Sequence, residues 1–181
     1  MSVDQLLWLT SRAAALTAFF VLAGALLTGQ ALRSAIFEGT MRSRDLASLH
    51  RFLTVCWVPL VGLHILTITL DAVARVGPID LLIPFRVSYA TLAIGLGTLG
   101  FDLLLVITIT SYLRRHLDPV AWRWLHRLSY LMFGLFALHA LLAGTDFARP
   151  LVLAPAAGVV AFIAVLSLAR LVFGRLETTA R

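Results

Sequence analysis

The chain has 181 residues, of which 60% are hydrophobic, and a net charge of +6, with a mean hydropathy of +0.94. Long uncharged stretches of this composition indicate a membrane protein with room for five crossings of about 20 residues each, so we expect no additional soluble catalytic domain within these residues. A single cysteine, Cys56, excludes disulfide frameworks, cysteine-ligated zinc and iron–sulfur clusters, and arginines at the ends of apolar segments argue against nucleic-acid binding.

Five long apolar runs follow one another along the chain, and each predicts a transmembrane helix. The predicted spans cover roughly residues 8–32, 50–72, 87–113, 124–145 and 151–173. Turn signals separate them, including Gly77-Pro78, Asp118-Pro119 and Pro150. The sequence therefore predicts an all-α fold, a polytopic membrane helical bundle of five helices that forms one domain over residues 1–181.

The distribution of arginine predicts the orientation, because cytoplasmic loops of membrane proteins are enriched in basic residues. All 15 basic residues are arginine. Alternate loops place one set on the first side, namely Arg33, Arg42, Arg44, Arg51, Arg114, Arg115, Arg123, Arg127, Arg170, Arg175 and Arg181. The other side receives only Arg12, Arg75, Arg86 and Arg149. The N-terminus is therefore predicted outside and the C-terminus in the cytoplasm.

Four of the five histidines fall on two predicted helices, His50 and His64 on the second and His126 and His139 on the fourth. Separations of 14 and 13 residues correspond to about 21 and 20 Å along a helix, roughly two thirds of the hydrocarbon core. Helices two and four run in the same direction, so His50 is expected to face His126 near the cytoplasm and His64 to face His139 near the outside. Facing imidazoles at one level are suited to be the axial ligands of a six-coordinate haem iron, which transfers single electrons.

The 13-residue spacing leaves a geometric question, because at about 100° per residue His126 and His139 lie about 140° apart around their helix. Helix distortion, supercoiling or different azimuths for the two haems would each reconcile it. The alternative, a hydrogen-bonded core role for each histidine, is disfavoured by the level matching of two pairs. His116 follows Arg114 and Arg115, and we interpret it as an interfacial residue.

Several stretches around these histidines resemble a known family. They are Ser11-Arg12-Ala13-Ala14, Thr108-Ile109-Thr110-Ser111 and Trp122-Arg123-Trp124-Leu125-His126-Arg127-Leu128-Ser129-Tyr130, together with the paired histidine spacings. On these features, most of the chain is similar to the ferric reductase-like transmembrane domain family. That family includes ferric reductases, NADPH oxidases and the haem-binding membrane subunit of a bacterial periplasmic methionine sulfoxide reductase.

The resemblance implies two b-type haems held between helices 2 and 4 in a bacterial inner membrane. Electrons would pass from a cytoplasmic or quinol donor to a separate redox partner on the outer side. The flavin and nicotinamide domains of ferric reductases and NADPH oxidases do not occur within the sequence. No flavin is therefore expected on this chain, and a separate flavin reductase or the quinone pool is the expected donor. Ile68 stands where NADPH oxidases have a further histidine, which argues against superoxide production, although Arg12 resembles the arginine beside it.

Two arginines are candidates for binding haem propionates, which need cationic partners near the membrane surface. Arg12 lies at the outer end of the first span and Arg127 directly follows His126, and a topology role remains open for each. Asp102 is the one carboxylate well inside a predicted span. We hypothesise that it hydrogen-bonds an interior group such as the second ring nitrogen of a ligand histidine.

Three functions follow from these patterns. The first is a two-haem relay that carries electrons across the membrane. The second is a haem-binding membrane subunit that delivers quinol electrons to a periplasmic reductase. The third, from a different class, is a transport or structural membrane protein whose histidines bind no cofactor.

Overall fold

The computed structural model describes residues 1–32, 42–72, 74 and 76–173. Four of the arginines used to predict orientation, Arg33, Arg75, Arg175 and Arg181, lie outside the described residues. Five α-helices make up most of the described chain: α1 (Val3–Ala31), α2 (Ser43–Leu70), α3 (Thr91–Tyr112), α4 (Pro119–Ala143) and α5 (Pro150–Phe173). Short 3₁₀ turns cover Pro78–Leu81, Arg114–His116 and Thr145–Ala148, and the described residues contain no strand.

All five helices are long and apolar enough to cross a membrane. Much of the outward surface is aliphatic or aromatic, as at Phe52, Leu66, Leu151 and Val165, whose exposed fractions range from 55 to 88%. Such a surface suits contact with lipid rather than with water. The prediction of an all-helical chain with five apolar spans is confirmed, and the fold is compatible with an integral membrane protein.

Three helix starts differ from the predicted spans for local reasons. Helix α1 begins at Val3, where the Ser2 hydroxyl accepts from the Gln5 amide and the Gln5 side chain accepts from the Ser2 amide. Helix α4 begins at Pro119, because the Asp118 carboxylate accepts from the next free backbone amides. Helix α3 begins only at Thr91, since Ala90 adopts a left-handed conformation with φ 45°.

The bundle consists of two closely packed helix pairs, α1 with α2 and α3 with α4. Helix α1 also contacts α4 and α5, whereas α2 and α4 are not among the helices that approach closely along their backbones within the described residues. Aromatic side chains join α4 to α1 and α2 midway along the bundle. Phe19 of α1 stacks on Phe133 of α4 at 5.5 Å, and Trp57 of α2 packs on Phe136 of α4 at 5.9 Å between ring centroids.

The two ends of the bundle are distinct. At one end, where α1 and α3 finish and α2 and α4 begin, most of the described arginines are located, and we call it the arginine-rich end. The opposite end carries the start of α1 and is called the N-terminal end. There the connection from α2 to α3 lies against α3, since the Thr98 hydroxyl donates to the Asp80 carbonyl at 3.2 Å and the Phe85 ring covers Gly95, where a β-carbon would collide with it.

Candidate functional site

Four histidines of α2 and α4 meet in two pairs. The ring centroids of His50 and His126 are 6.4 Å apart near the arginine-rich end, and those of His64 and His139 are 6.4 Å apart near the N-terminal end. The planes of the paired rings are inclined by 80° and 68°. Helices α2 and α4 therefore run in the same direction with their histidines at two matching levels, which is the pairing that the sequence spacing predicted.

Equal ring separations occur although the spacings along α2 and α4 differ. His126 and His139 are 13 residues apart and leave α4 in directions about 140° apart. Helix α4 is continuous from Pro119 to Ala143, and Phe133 and Phe136 pack between the levels of the two pairs. The exposed His116, in contrast, accepts a hydrogen bond from Arg115 at 3.1 Å and belongs to neither pair.

Two of the histidines make short contacts with backbone carbonyls of neighbouring helices as their nearest Nδ1 partners. Nδ1 of His50 lies 2.8 Å from the Ala25 carbonyl of α1, and Nδ1 of His139 lies 2.7 Å from the Ala93 carbonyl of α3. A carbonyl oxygen can only accept, so Nδ1 carries the proton and the lone pair of the neutral ring is on Nε2. These two rings thus have the tautomer that a metal ligand bound through Nε2 requires.

A glycine lies one turn beyond each of these carbonyls and makes room for the ring. A β-carbon at Gly97 would lie 2.7 Å from Nδ1 of His139, which is far inside van der Waals contact. A β-carbon at Gly29 would lie 3.3 Å from Cε1 of His50, a tight contact that a small shift relieves. The close approach of an imidazole to a helix backbone therefore depends on glycine, and most strictly at position 97.

The other two histidines contact serine residues. Nδ1 of His64 lies 2.9 Å from the Ser11 hydroxyl and 3.2 Å from the Ser11 carbonyl. Nδ1 of His126 lies 3.4 Å from the Ser111 hydroxyl. Helix α1 thus holds both histidines of α2, and α3 holds both histidines of α4. The sequence analysis singled out the stretches that contain Ser11 and Ser111 but did not assign their contacts. Both are polar residues in apolar helices at the depth of a histidine, and this match could have predicted the contacts.

A tryptophan side chain with an unsatisfied polar atom flanks the His50–His126 pair. The Trp122 ring stacks on the His126 ring, with centroids 5.2 Å apart and planes inclined by 22°. Its Nε1 atom is buried and has no hydrogen-bond partner among the described residues. An indole N–H only donates, and a buried donor without an acceptor is destabilising, so this position favours an acceptor group beside the pair.

The two candidate arginines have different surroundings. Arg12 lies next to Ser11 and forms a two-point ion pair with Asp146, including an Nε–Oδ2 hydrogen bond of 2.8 Å, while its guanidinium stacks over Trp8 at 4.0 Å. The hydrogen bond from Arg12 holds the pKa of the Asp146 carboxyl below its usual range. Arg127 is exposed and places its guanidinium 4.6 Å from the Trp124 ring centroid.

Asp102 does not contact the histidines. The Nδ1 atoms have the carbonyl and hydroxyl contacts described above, and neither described ion pair includes Asp102. The hypothesis that this carboxylate orients a ligand histidine is therefore wrong. Backbone carbonyls and serine hydroxyls of α1 and α3 perform that orientation instead.

No protein-family model matches the chain, and comparisons with curated proteins and with solved structures give no match either. Within the described part of the chain, no three histidine, cysteine or acidic side chains come together to form a metal site. The candidate site therefore consists of two two-histidine pairs, and its interpretation depends on their geometry.

Proposed function

We propose that this protein holds two b-type haems and transfers electrons across the membrane. The observation that carries the proposal is the 6.4 Å separation of the ring centroids in both histidine pairs. Two imidazoles on opposite sides of one metal ion, each with a metal–nitrogen distance of about 2 Å, have centroids roughly 6.3 Å apart. Hydrogen-bonded core histidines without a shared ligand have no reason to repeat this separation at two levels.

The residues present fit such a group. The carbonyl contacts of His50 and His139 leave the Nε2 lone pair available for coordination. The buried Trp122 N–H beside His126 lacks an acceptor among the described residues, and a propionate carboxylate would supply one. Arg127, one residue beyond His126, adds a cation at the same end of the bundle. Held by a histidine pair, such a group would supply one-electron transfer.

The two histidine pairs lie at different depths, so that together they would span most of the membrane. His50 and His64 are 14 residues apart, about 21 Å along α2, which is most of the distance between the two faces of the hydrocarbon core. Between the levels lies a dry aromatic core, where Trp57 is only 3% exposed and contacts Phe136. These apolar residues lower the polarity between the two levels, which would influence the redox potential of each haem.

The assignment of sides follows from the arginines. We place the arginine-rich end in the cytoplasm and the N-terminus outside, in a bacterial inner membrane, because basic residues favour the cytoplasmic face. The His50–His126 pair would then receive electrons from a separate flavin reductase or from quinol. The His64–His139 pair would deliver them to a separate redox partner on the outer side. The resemblance to the ferric reductase-like transmembrane domain family supports the same assignment.

Absorbance spectroscopy of the purified protein tests the proposal. We expect sharp reduced-minus-oxidised bands of low-spin haem b and a pyridine haemochrome ratio close to two haems per chain. His50→Ala and His64→Ala are each expected to remove one haem, and the two losses should differ in midpoint potential. His116→Ala is the matched control and is expected to retain both haems, because this exposed ring belongs to neither pair. A colourless preparation would instead favour a transport or structural protein.

A further inference from the structure

Asp102 lies at the middle of the membrane-spanning part of α3. Ala93 contacts His139 and Ser111 contacts His126, so these two residues mark the two histidine levels on α3. Asp102 is nine residues from each of them, which corresponds to about 14 Å along the helix in either direction. The carboxyl group is therefore halfway between the levels, where hydrocarbon is thickest on both sides.

Asp102 is half-buried and lies on the face of α3 that is turned away from α4. Nine residues at about 100° each turn a helix through about half a revolution, so Asp102 lies opposite the face of α3 that contacts α4. Leu105, Val106 and Ile109 continue the same face and are 37, 41 and 56% exposed. Together with Asp102 they form what we call the Asp102 face. Closer to the N-terminal end, this side of α3 is covered by the loop that contacts Thr98 and Gly95.

No ion pair or hydrogen bond joins Asp102 to another residue in the described part of the chain. A carboxylate at the centre of a bilayer costs several kcal/mol, and intramembrane acids normally face the protein interior or a partner. Among the described residues, Asp102 has no partner of opposite charge, and the aliphatic side chains that continue its face are exposed. We propose that it binds a transmembrane helix of a different membrane protein, one that presents a lysine or arginine at the bilayer midplane.

A second copy of this chain does not supply the complementary charge. The sequence contains no lysine, and the described arginines lie at or beyond the two histidine levels, as Arg12 beside Ser11 and Arg51 beside His50 illustrate. A symmetric contact through α3 would also bring two Asp102 side chains together, which is unfavourable for like charges. The aliphatic remainder of the face suits close packing of a second helix around the central ion pair. This inference concerns the lipid-facing side of α3 and does not depend on haem binding.

The test uses the full chain in lipid vesicles together with a designed peptide. The peptide is a leucine–alanine transmembrane helix with a single central lysine, and its controls carry leucine at that position or the lysine two turns nearer one end. Energy transfer between a fluorophore on the peptide and one at the C-terminus of the protein reports binding as the peptide-to-lipid ratio is varied. We expect the central-lysine peptide to bind about tenfold more tightly than either control.

Two variants assign the effect to the carboxyl group. Asp102→Asn keeps the shape of the side chain and is expected to bind all three peptides equally, without loss of folding, because it removes a charge from lipid. Leu105→Ala, the matched control on the same face, is expected to retain the preference for the central lysine. The proposal is overturned if all peptides bind wild type alike, or if Asp102→Asn keeps the preference. It is also overturned if the chain instead forms homodimers that Asp102→Asn dissociates.

Discussion

Replacing Gly97 by alanine tests whether the position of the His139 ring depends on the absence of a β-carbon at residue 97. The added β-carbon would lie 2.7 Å from Nδ1, so the ring must move by about 0.7 Å to reach the 3.4 Å of ordinary contact. A move of that size takes the 2.7 Å hydrogen bond to the Ala93 carbonyl out of the usual range. The lost hydrogen bond and an off-rotamer ring cost about 1–3 kcal/mol together, which corresponds to roughly 5- to 150-fold weaker ligand binding at this pair.

Three other glycines provide graded controls for the same substitution. Gly29→Ala creates only a 3.3 Å contact with His50, and β-carbons at Gly62 and Gly134 meet nothing within 4 Å. We expect a slight effect at position 29. At positions 62 and 134 we expect none on the haems, with helix stability increased by about 0.5–1 kcal/mol per substitution.

The assay is the pyridine haemochrome ratio combined with a redox titration of the reduced absorbance bands. In Gly97→Ala, the component that His139→Ala also removes should weaken or disappear, while the other component stays. Full retention of both components at unchanged potentials would refute the argument that glycine seats the ring. So would a larger loss in Gly29→Ala than in Gly97→Ala.

Three further predictions concern the same contacts. Ser11→Ala and Ser111→Ala each remove a contact to one ring and should raise the midpoint potential of that pair's haem by tens of millivolts, leaving the other unchanged in a redox titration. The Arg12–Asp146 ion pair stabilises the fold while Asp146 is ionised, so thermal stability should fall as the pH drops below about 4 and through the lowered pKa of this carboxyl, and the loss should be absent in Asp146→Asn. If the ring planes kept their inclinations of 80° and 68° around bound haem iron, two iron d orbitals would be nearly equal in energy, and both oxidised haems should give electron paramagnetic resonance signals with one very large g value; ordinary rhombic spectra, which parallel rings would give, would contradict these inclinations.

Sequence patterns predicted the parts of this structure that depend on distance along the chain. Run length identified the five helices, and residue spacing paired His50 with His126 because rise per residue is nearly constant in a helix. Direction around a helix was harder to predict. Asp102 was expected to hydrogen-bond an interior group, yet it lies half a turn away from the face that contacts α4. The sequence indicates the depth of this residue in the membrane, but it does not indicate which helices pack against α3.

The anchoring of the histidines was unpredictable for a different reason. Ala25 and Ala93 act through backbone carbonyls, which every residue has, so no residue type at those positions indicates the contact. Gly29 and Gly97 indicate the contact only indirectly, because a glycine shows that there is room for a neighbouring ring but does not show which ring lies there. Ser11 and Ser111 are polar residues in apolar helices, but serine at such positions also bonds to its own helix, and only the packed structure distinguishes the two.

The arrangement divides two tasks between two sets of helices. Helices α2 and α4 carry the imidazoles, whereas α1 and α3 fix their tautomers and orientations through contacts on the far side of each ring. Because α1 packs closely on α2, and α3 on α4, each histidine is oriented within its own helix pair, independently of the facing pair. The gap between α2 and α4 can then adjust to a bound group without disturbing the Nδ1 contacts. If the proposed haems bind here, imidazoles fixed in this way would need little reorganisation when the charge on the metal changes.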